Sequence, residues 1–113
     1  MDTLENIRAD IRRFVKERDW EQFHDPKNLA MAVASEAGEL VAELRWVPQD
    51  RVDRHCHEPA ARQRLRDEIA DVAITLLMLA DRTEIDLLSA MRDKLEKNAA
   101  KYPVERVRGK YEP

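Results

Sequence analysis

Three glutamates interrupt an otherwise apolar stretch, SEAGELVAEL, at residues 35–44. Glu36, Glu39 and Glu43 are three and four residues apart, so an α-helix would bring them onto one face. Alanine, leucine and valine side chains flank that face and are typical of a buried helix surface. The pattern therefore predicts a row of carboxylates along the edge of a core-facing surface, where loss of hydration disfavours charge.

A second acid pair, Glu68 and Asp71, lies in DEIADV and again borders an apolar run. We expect the two helices to be antiparallel neighbours that bring this pair against Glu36 and Glu39. Four such carboxylates repel one another unless something compensates, and oxygen-only ligands suit a hard divalent cation, with magnesium the usual choice beside phosphates. A di-iron bundle would need Glu-x-x-His, and no histidine follows these acids at that spacing. The alternative is that each acid forms an ion pair with a surface lysine or arginine.

The elements that must position these acids are predicted to be four helices in one all-α domain spanning residues 1–113. Capping residues, prolines and apolar spacing place their bounds: Thr3 to about Arg18, Asp25 and Pro26 to about Arg45, Pro59 to Asp81 or Arg82, and about Asp86 to Lys101. The polar segment between the second and third helices is expected to be a loop. Pro103 stops the fourth helix, and residues 103–113 are expected to form an irregular tail.

The third helix predicts an oligomer. Between Ile69 and Ala80 its only polar residues are Asp71 and Thr75. A helix that is apolar almost all round must be surrounded by protein, and one short chain has few helices to surround it. We expect the second and third helices to pack against a partner chain.

Composition narrows the function classes. Charged residues make up 38% of the chain, yet the net charge is −3 and the pI is near 5.6, so a nucleic-acid partner is disfavoured. The longest apolar-rich stretch, Val72 to Ala80, has nine residues, too few for a membrane span. One cysteine excludes an intrachain disulfide framework and suits a reducing compartment. His55, Cys56 and His57 are contiguous and lack zinc-ligand spacing. A cytoplasmic protein is expected.

Four motifs together resemble the MazG-like, all-α nucleoside triphosphate pyrophosphohydrolases, and most of all the dCTP pyrophosphatase branch. The motifs are RDWEQFHDPKNL, SEAGELVAEL, DEIADV and KLEKNAAKYP, and the resemblance covers about residues 3 to 112. It implies hydrolysis of dCTP, or of related or modified dNTPs, to the monophosphate and pyrophosphate. It also implies a homotetramer and a Mg²⁺ ion held by the catalytic acids Glu36, Glu39, Glu68 and Asp71.

The same resemblance implies two groups of substrate-binding residues. The phosphate side would be formed by Lys94, Asn98, Lys101 and Tyr102. The base pocket would be formed by Trp20, His24 and Trp46, with Arg18 and Asn28 beside it. The alternatives are a solvated lysine face and tryptophans that hold loops against the bundle.

Two positions depart from the pattern of the cytosine-selective members. Those members carry a histidine near Ile11 and a tyrosine near Thr75. The base preference is therefore open among dCTP, modified dCTP, dTTP and a broader set of dNTPs. The competing function class is a non-catalytic helical oligomerisation module whose acids form structural ion pairs.

Overall fold

The computed structural model describes residues 2–110, which contain α-helices, a single 3₁₀ turn and no strand. The helices are α1 (Leu4–Glu17), α2 (Pro26–Leu44), α3 (Val52–His55), α4 (Pro59–Arg82), α5 (Leu87–Lys101) and α6 (Val104–Val107), with the 3₁₀ turn at Glu21–Phe23. The predicted all-α fold is confirmed, and its four helices correspond to α1, α2, α4 and α5.

Side-chain caps fix where three long helices begin. Thr3, Asp25 and Asp86 each accept a hydrogen bond from the backbone N–H three residues later, at 3.1, 2.8 and 3.0 Å. Pro26 and Pro59 are the first residues of α2 and α4, where a missing N–H costs nothing because that group has no partner within the helix.

Both α1 and α4 are followed, two residues after the helix ends, by a left-handed residue that is not glycine. Asp19 has a φ of 54° and Glu84 a φ of 58°. The Trp20 N–H then donates back to the Val15 carbonyl at 3.1 Å, and Ile85 makes the corresponding bond into α4 at 2.9 Å. These bonds complete Schellman motifs, and the first of them fixes the position of Trp20 at the end of α1.

Two segments differ from the expectation of irregular structure. The linker after α2 contains the single-turn helix α3, and the tail after Pro103 contains the single-turn helix α6. A helix of four residues is too short to show an apolar period in the sequence. Residues 111–113 of the predicted tail lie outside the described part of the chain.

The main packing interface joins α2 to α4, and α1 lies against α4. Glu43 of α2 pairs with Arg64 of α4 near one end of this interface, whereas Leu29 and Leu77 line a common cavity near the other. Low numbers on α2 therefore face high numbers on α4, so the two helices are antiparallel, as expected.

The chain is open for its size. Its radius of gyration is 17.3 Å, against about 13 Å for a compact domain of this length. Only four hydrophobic residues of the described chain are buried: Val15, Leu29, Ala61 and Leu77. α5 has no extended interface with α1, α2 or α4, and Leu88, Met91 and Leu95 along it are exposed. No helix within residues 2–110 is both long and apolar enough to cross a membrane.

Candidate metal centre

Four carboxylates converge at the middle of the α2–α4 interface. One oxygen each from Glu36, Glu39, Glu68 and Asp71 lies within 4.8 Å of all the others. Glu36 and Glu68 are half-buried, whereas Glu39 and Asp71 are exposed. The three-residue spacing on each helix, together with the antiparallel pairing of the helices, produces this arrangement. We call these four residues the acid cluster.

Two oxygens of the acid cluster are buried without a hydrogen-bond partner, namely Oε2 of Glu36 and Oε2 of Glu68. Burial raises the pKa of the Glu36 carboxyl, and the charge and hydrogen bonding of Glu39 raise it further. Burial likewise raises the pKa of Glu68, with added repulsion from Glu39 and Asp71. The cluster is thus electrostatically unfavourable as an arrangement of bare carboxylates.

Ion pairs do not compensate this charge. Within residues 2–110, no lysine, arginine or histidine nitrogen lies within salt-bridge distance of the four acids, whereas the neighbouring Glu43 is paired with Arg64. Buried carboxylate oxygens without a partner are uncommon in folded proteins. An all-oxygen donor set of this density could hold a hard divalent cation, which would satisfy both orphaned oxygens.

Four of the residues predicted near the substrate base, namely Arg18, Trp20, His24 and Asn28, lie between the end of α1 and the first turn of α2. Trp20 packs edge-to-face on Phe14 with ring centroids 5.8 Å apart, and the Arg18 guanidinium lies 3.7 Å from the centre of the Phe14 ring. His24 is half-buried. The Asn28 amide donates to the Phe23 carbonyl at 3.1 Å, so part of its hydrogen-bonding capacity is used locally.

Trp46 lies at the opposite end of α2 and is 82% exposed. The intervening helix has 19 residues and is therefore about 28 Å long. Within one chain, Trp46 consequently does not share a pocket with Trp20 and His24. The sequence grouped the two tryptophans by residue type, but the length of α2 separates them.

The predicted phosphate-side residues occupy the last turns of α5. Lys94 and Lys101 are exposed, Asn98 and Tyr102 are half-buried, and the Lys101 Nζ lies 5.4 Å from the centre of the Tyr102 ring. Because α5 has no extended interface with α2 or α4, these residues are not packed against the acid cluster of their own chain.

A cavity of about 490 Å³ lies between α1, the start of α2 and the last turns of α4, and sequence reasoning did not find it. Its lining includes Ile11 and His24, together with Leu29 and Met78. Thr75 is not among the lining residues, and its hydroxyl donates to the Asp71 and Val72 carbonyls at 3.0 Å.

Beside the cavity, Asp81 of α4 accepts hydrogen bonds from Arg12 and Arg8 of α1, with the Arg12 Nε 2.9 Å from Oδ2. The two arginines are four residues apart and thus share a face of α1. That spacing was the available signal, but nothing in the sequence identified Asp81 as the partner.

A model of the MazG-like family matches residues 31–111 of the chain, a range that includes the acid cluster. The chain belongs to the MazG-like family. This MazG-like protein is 41% identical to dCTP pyrophosphatase 1 of Bos taurus over 107 residues, covering 95% of this chain and 63% of the bovine protein. It is 40% identical to dCTP pyrophosphatase 1 of Homo sapiens over 106 residues, covering 94% of this chain and 62% of the human protein.

The MazG-like chain thus spans less than two-thirds of the length of these relatives. A crystal structure of a pyrophosphatase from Archaeoglobus fulgidus matches its fold with a TM-score of 0.84 and 35% identity, covering 91% of this chain and 94% of that one. The resemblance predicted from the four motifs, both to the family and to dCTP pyrophosphatases, is confirmed.

Proposed function

We propose that this protein is a magnesium-dependent nucleoside triphosphate pyrophosphohydrolase that converts dCTP, or a related or modified dNTP, to the monophosphate and pyrophosphate. The acid cluster carries the proposal, because it places two buried, unpartnered carboxylate oxygens among four acids in a MazG-like chain. The names of the relatives, dCTP pyrophosphatase and pyrophosphatase, support the reaction class.

In this proposal Glu36, Glu39, Glu68 and Asp71 hold Mg²⁺. When bound, the ion would neutralise phosphate charge and make a bound water more acidic. Water attacks the α-phosphorus, the bond to the bridging oxygen of the β-phosphate breaks, and pyrophosphate leaves. One carboxylate of the cluster accepts the water's proton as a general base.

The substrate-binding residues come from more than one chain. Lys94, Asn98 and Lys101 would bind phosphate oxygens, with Tyr102 closing the end of α5. Trp20, His24, Asn28 and Trp46 would form the base pocket, with stacking on tryptophan as its main attraction. Within one chain, the length of α2 separates Trp46 from Trp20, and α5 has no extended interface with the helices that carry the acid cluster. A complete site would therefore include residues of a partner subunit.

A homotetramer in the cytoplasm, acting on the nucleotide pool, completes the proposal. Ile11 and Thr75 stand where a histidine and a tyrosine are expected in cytosine-selective members, and the Thr75 hydroxyl bonds to its own helix. Recognition of the base would then depend on stacking and on His24, which leaves dCTP, modified dCTP, dTTP and a broader set of dNTPs as candidate substrates.

A panel of nucleoside triphosphates with and without magnesium tests this function. We expect monophosphate and pyrophosphate from dCTP or a close relative, and no turnover when EDTA removes the metal. Production of diphosphate and orthophosphate would overturn the reaction class. A folded protein inert toward every nucleotide, with or without magnesium, would instead favour the non-catalytic oligomerisation module.

A further inference from the structure

Three successive levels of the α2–α4 interface carry charged residues from both helices. The antiparallel register that pairs Glu43 with Arg64 places Glu36 opposite Asp71 at the first level and Glu39 opposite Glu68 at the second, and one oxygen of each of these four acids lies within 4.8 Å of the others. At the third level the sign changes, because Glu43 of α2 meets Arg64 of α4. Arg64 is four residues from Glu68, so on a helix the two side chains are neighbours on the same face. A cation therefore lies one helical turn beyond the acid cluster on α4, outside salt-bridge distance of the four acids.

The Arg64 guanidinium is held along one edge only. Its Nε donates to the Glu43 Oε2 at 3.2 Å, and its terminal nitrogens have no hydrogen-bond partner within residues 2–110. The Arg64 side chain is 55% exposed, whereas that of Glu43 is 22% exposed. Glu43 therefore orients the arginine while its terminal N–H groups remain available, the part of a guanidinium that binds phosphate oxygens in a fork geometry.

We propose that Arg64 is a substrate-binding residue that grips the phosphate groups released as pyrophosphate, with Glu43 as its positioning residue. The inference rests on the proposed function, since it requires a triphosphate at the acid cluster. The α-phosphate would lie at the cluster, and the β- and γ-phosphates would extend one level further to Arg64. The base would then point the other way, toward the cavity lined by Ile11 and His24.

This orientation follows from charge. A triphosphate extending toward Arg64 meets a cation at the first level beyond the metal ligands, and the developing charge on the leaving pyrophosphate is stabilised there. The alternative is an interhelical ion pair that serves stability alone. It predicts that loss of either partner has the same effect on stability and no effect on binding.

The test compares Arg64→Gln and Arg64→Lys with Glu43→Gln, using Arg66→Gln as the matched control. Arg66 is an exposed arginine of the same helix that forms no ion pair within the described chain, and it lies two residues away on a different face. Binding of inorganic pyrophosphate with magnesium is measured by calorimetry, and KM for dCTP and inhibition by pyrophosphate are measured kinetically. Circular dichroism and melting temperatures report folding.

We expect Arg64→Gln to weaken pyrophosphate binding by about 10- to 100-fold, the range for losing a hydrogen bond to a charged group. Arg64→Lys should retain part of the affinity for pyrophosphate that Arg64→Gln loses, and Glu43→Gln should weaken pyrophosphate binding less than Arg64→Gln does. Arg66→Gln should bind pyrophosphate as tightly as the wild type. Unchanged pyrophosphate binding in a folded Arg64→Gln, with equal losses of melting temperature in Arg64→Gln and Glu43→Gln, would overturn the proposal. A wild-type protein that binds pyrophosphate but hydrolyses no nucleotide would refute the proposed function alone, because the binding series would still decide the role of Arg64.

Discussion

At the scale of single residues, Glu36 and Glu68 of the acid cluster lie in an environment that disfavours their charged form. Glu36 and Glu68 each bury an oxygen without a partner, and each has a raised pKa because of that burial. Exposed acids with lysine partners would carry no such cost. The arrangement is explained if a divalent cation replaces the missing partners.

Glu39→Gln and Asp71→Asn should each lower turnover by at least about 100-fold, the lower range for loss of a proton-transfer or charge-stabilising group. Each substitution keeps the side-chain volume and removes one charged ligand, so the helical circular-dichroism signal should be retained. Asp67→Asn is the matched control, because Asp67 is exposed on the same helix and lies outside the acid cluster. Full activity in both cluster variants would refute their assignment to the active site.

The raised pKa values of Glu36 and Glu68 predict a pH dependence of the metal-free protein. The folded state holds these protons more tightly than the unfolded state, so the free energy of unfolding should fall as pH rises from the ordinary glutamate pKa through the raised values. Urea midpoints in EDTA should show the fall, and Glu68→Gln should reduce it. Saturating magnesium should also reduce it, because the cation takes the place of the protons. Identical pH profiles for wild type and Glu68→Gln would contradict the argument.

At the scale of elements, the sequence predicted the four long helices and the positions where they begin. Thr3, Asp25 and Asp86 mark helix starts, and Pro26 and Pro59 confirm two first turns. The spacing of the acids predicted the cluster, because the helical period and antiparallel pairing are enough to bring the acids together. α3 and α6 were missed because one turn has no period, and the ends of α1 and α4 use left-handed residues that are not glycine.

The parts of the site that could not be predicted depend on distances between elements. Trp20 and Trp46 look equivalent in sequence, but all of α2 separates them. Lys94 and Lys101 share a face of α5, yet the sequence does not say which helix that face meets. Glu43 appeared to extend the acid row, whereas its partner Arg64 distinguishes it from the metal ligands.

The junction of α1 and α4 predicts a second pH dependence of opposite sign. Hydrogen bonding from Arg12 lowers the pKa of Asp81, with a further contribution from Arg8. The stabilisation is therefore present above the ordinary aspartate pKa and is lost as pH falls through the lowered one. Asp81→Asn should melt below the wild type near neutral pH, and the difference should narrow on acidification.

The matched variant for this junction is Asp10→Asn, because Asp10 pairs with Arg13 within α1 and joins no two elements. Its effect on the melting temperature should be small, as for an exposed pair three residues apart on one helix. Equal effects of the two substitutions on the melting temperature at every pH would show that the ion pairs of Asp81 do not stabilise the packing of α1 against α4.

At the scale of the whole molecule, one chain exposes more surface than a folded monomer should. Its accessible surface is 9404 Å², whereas a monomer of this mass is expected to expose about 6,400 Å². The excess is about 3,000 Å² per chain, or about 6,000 Å² for two chains, which is at the upper end of what obligate interfaces bury when both partners are counted. Exposed apolar residues on three helices supply the surface that a partner would cover. They are Met31 and Val41 on α2, Ile69 and Leu76 on α4, and Leu88, Met91 and Leu95 on α5.

We therefore expect an obligate oligomer, most simply a tetramer of two dimers, in which a partner brings its Trp46 to the Trp20 and His24 of this chain. Light scattering during gel filtration measures the mass, and a fully active 13.2 kDa monomer would refute the assembly.

Complementation between two variants tests whether each site is shared between chains. Trp20→Ala and Trp46→Ala should each raise KM for dCTP more than they lower kcat, because stacking on a base acts in the ground and transition states alike. After the two variants are unfolded and refolded together, mixed oligomers should contain some pockets with both tryptophans and recover part of the low-substrate activity. If each pocket used the tryptophans of a single chain, every pocket in the mixture would still lack one of them, and no activity would return.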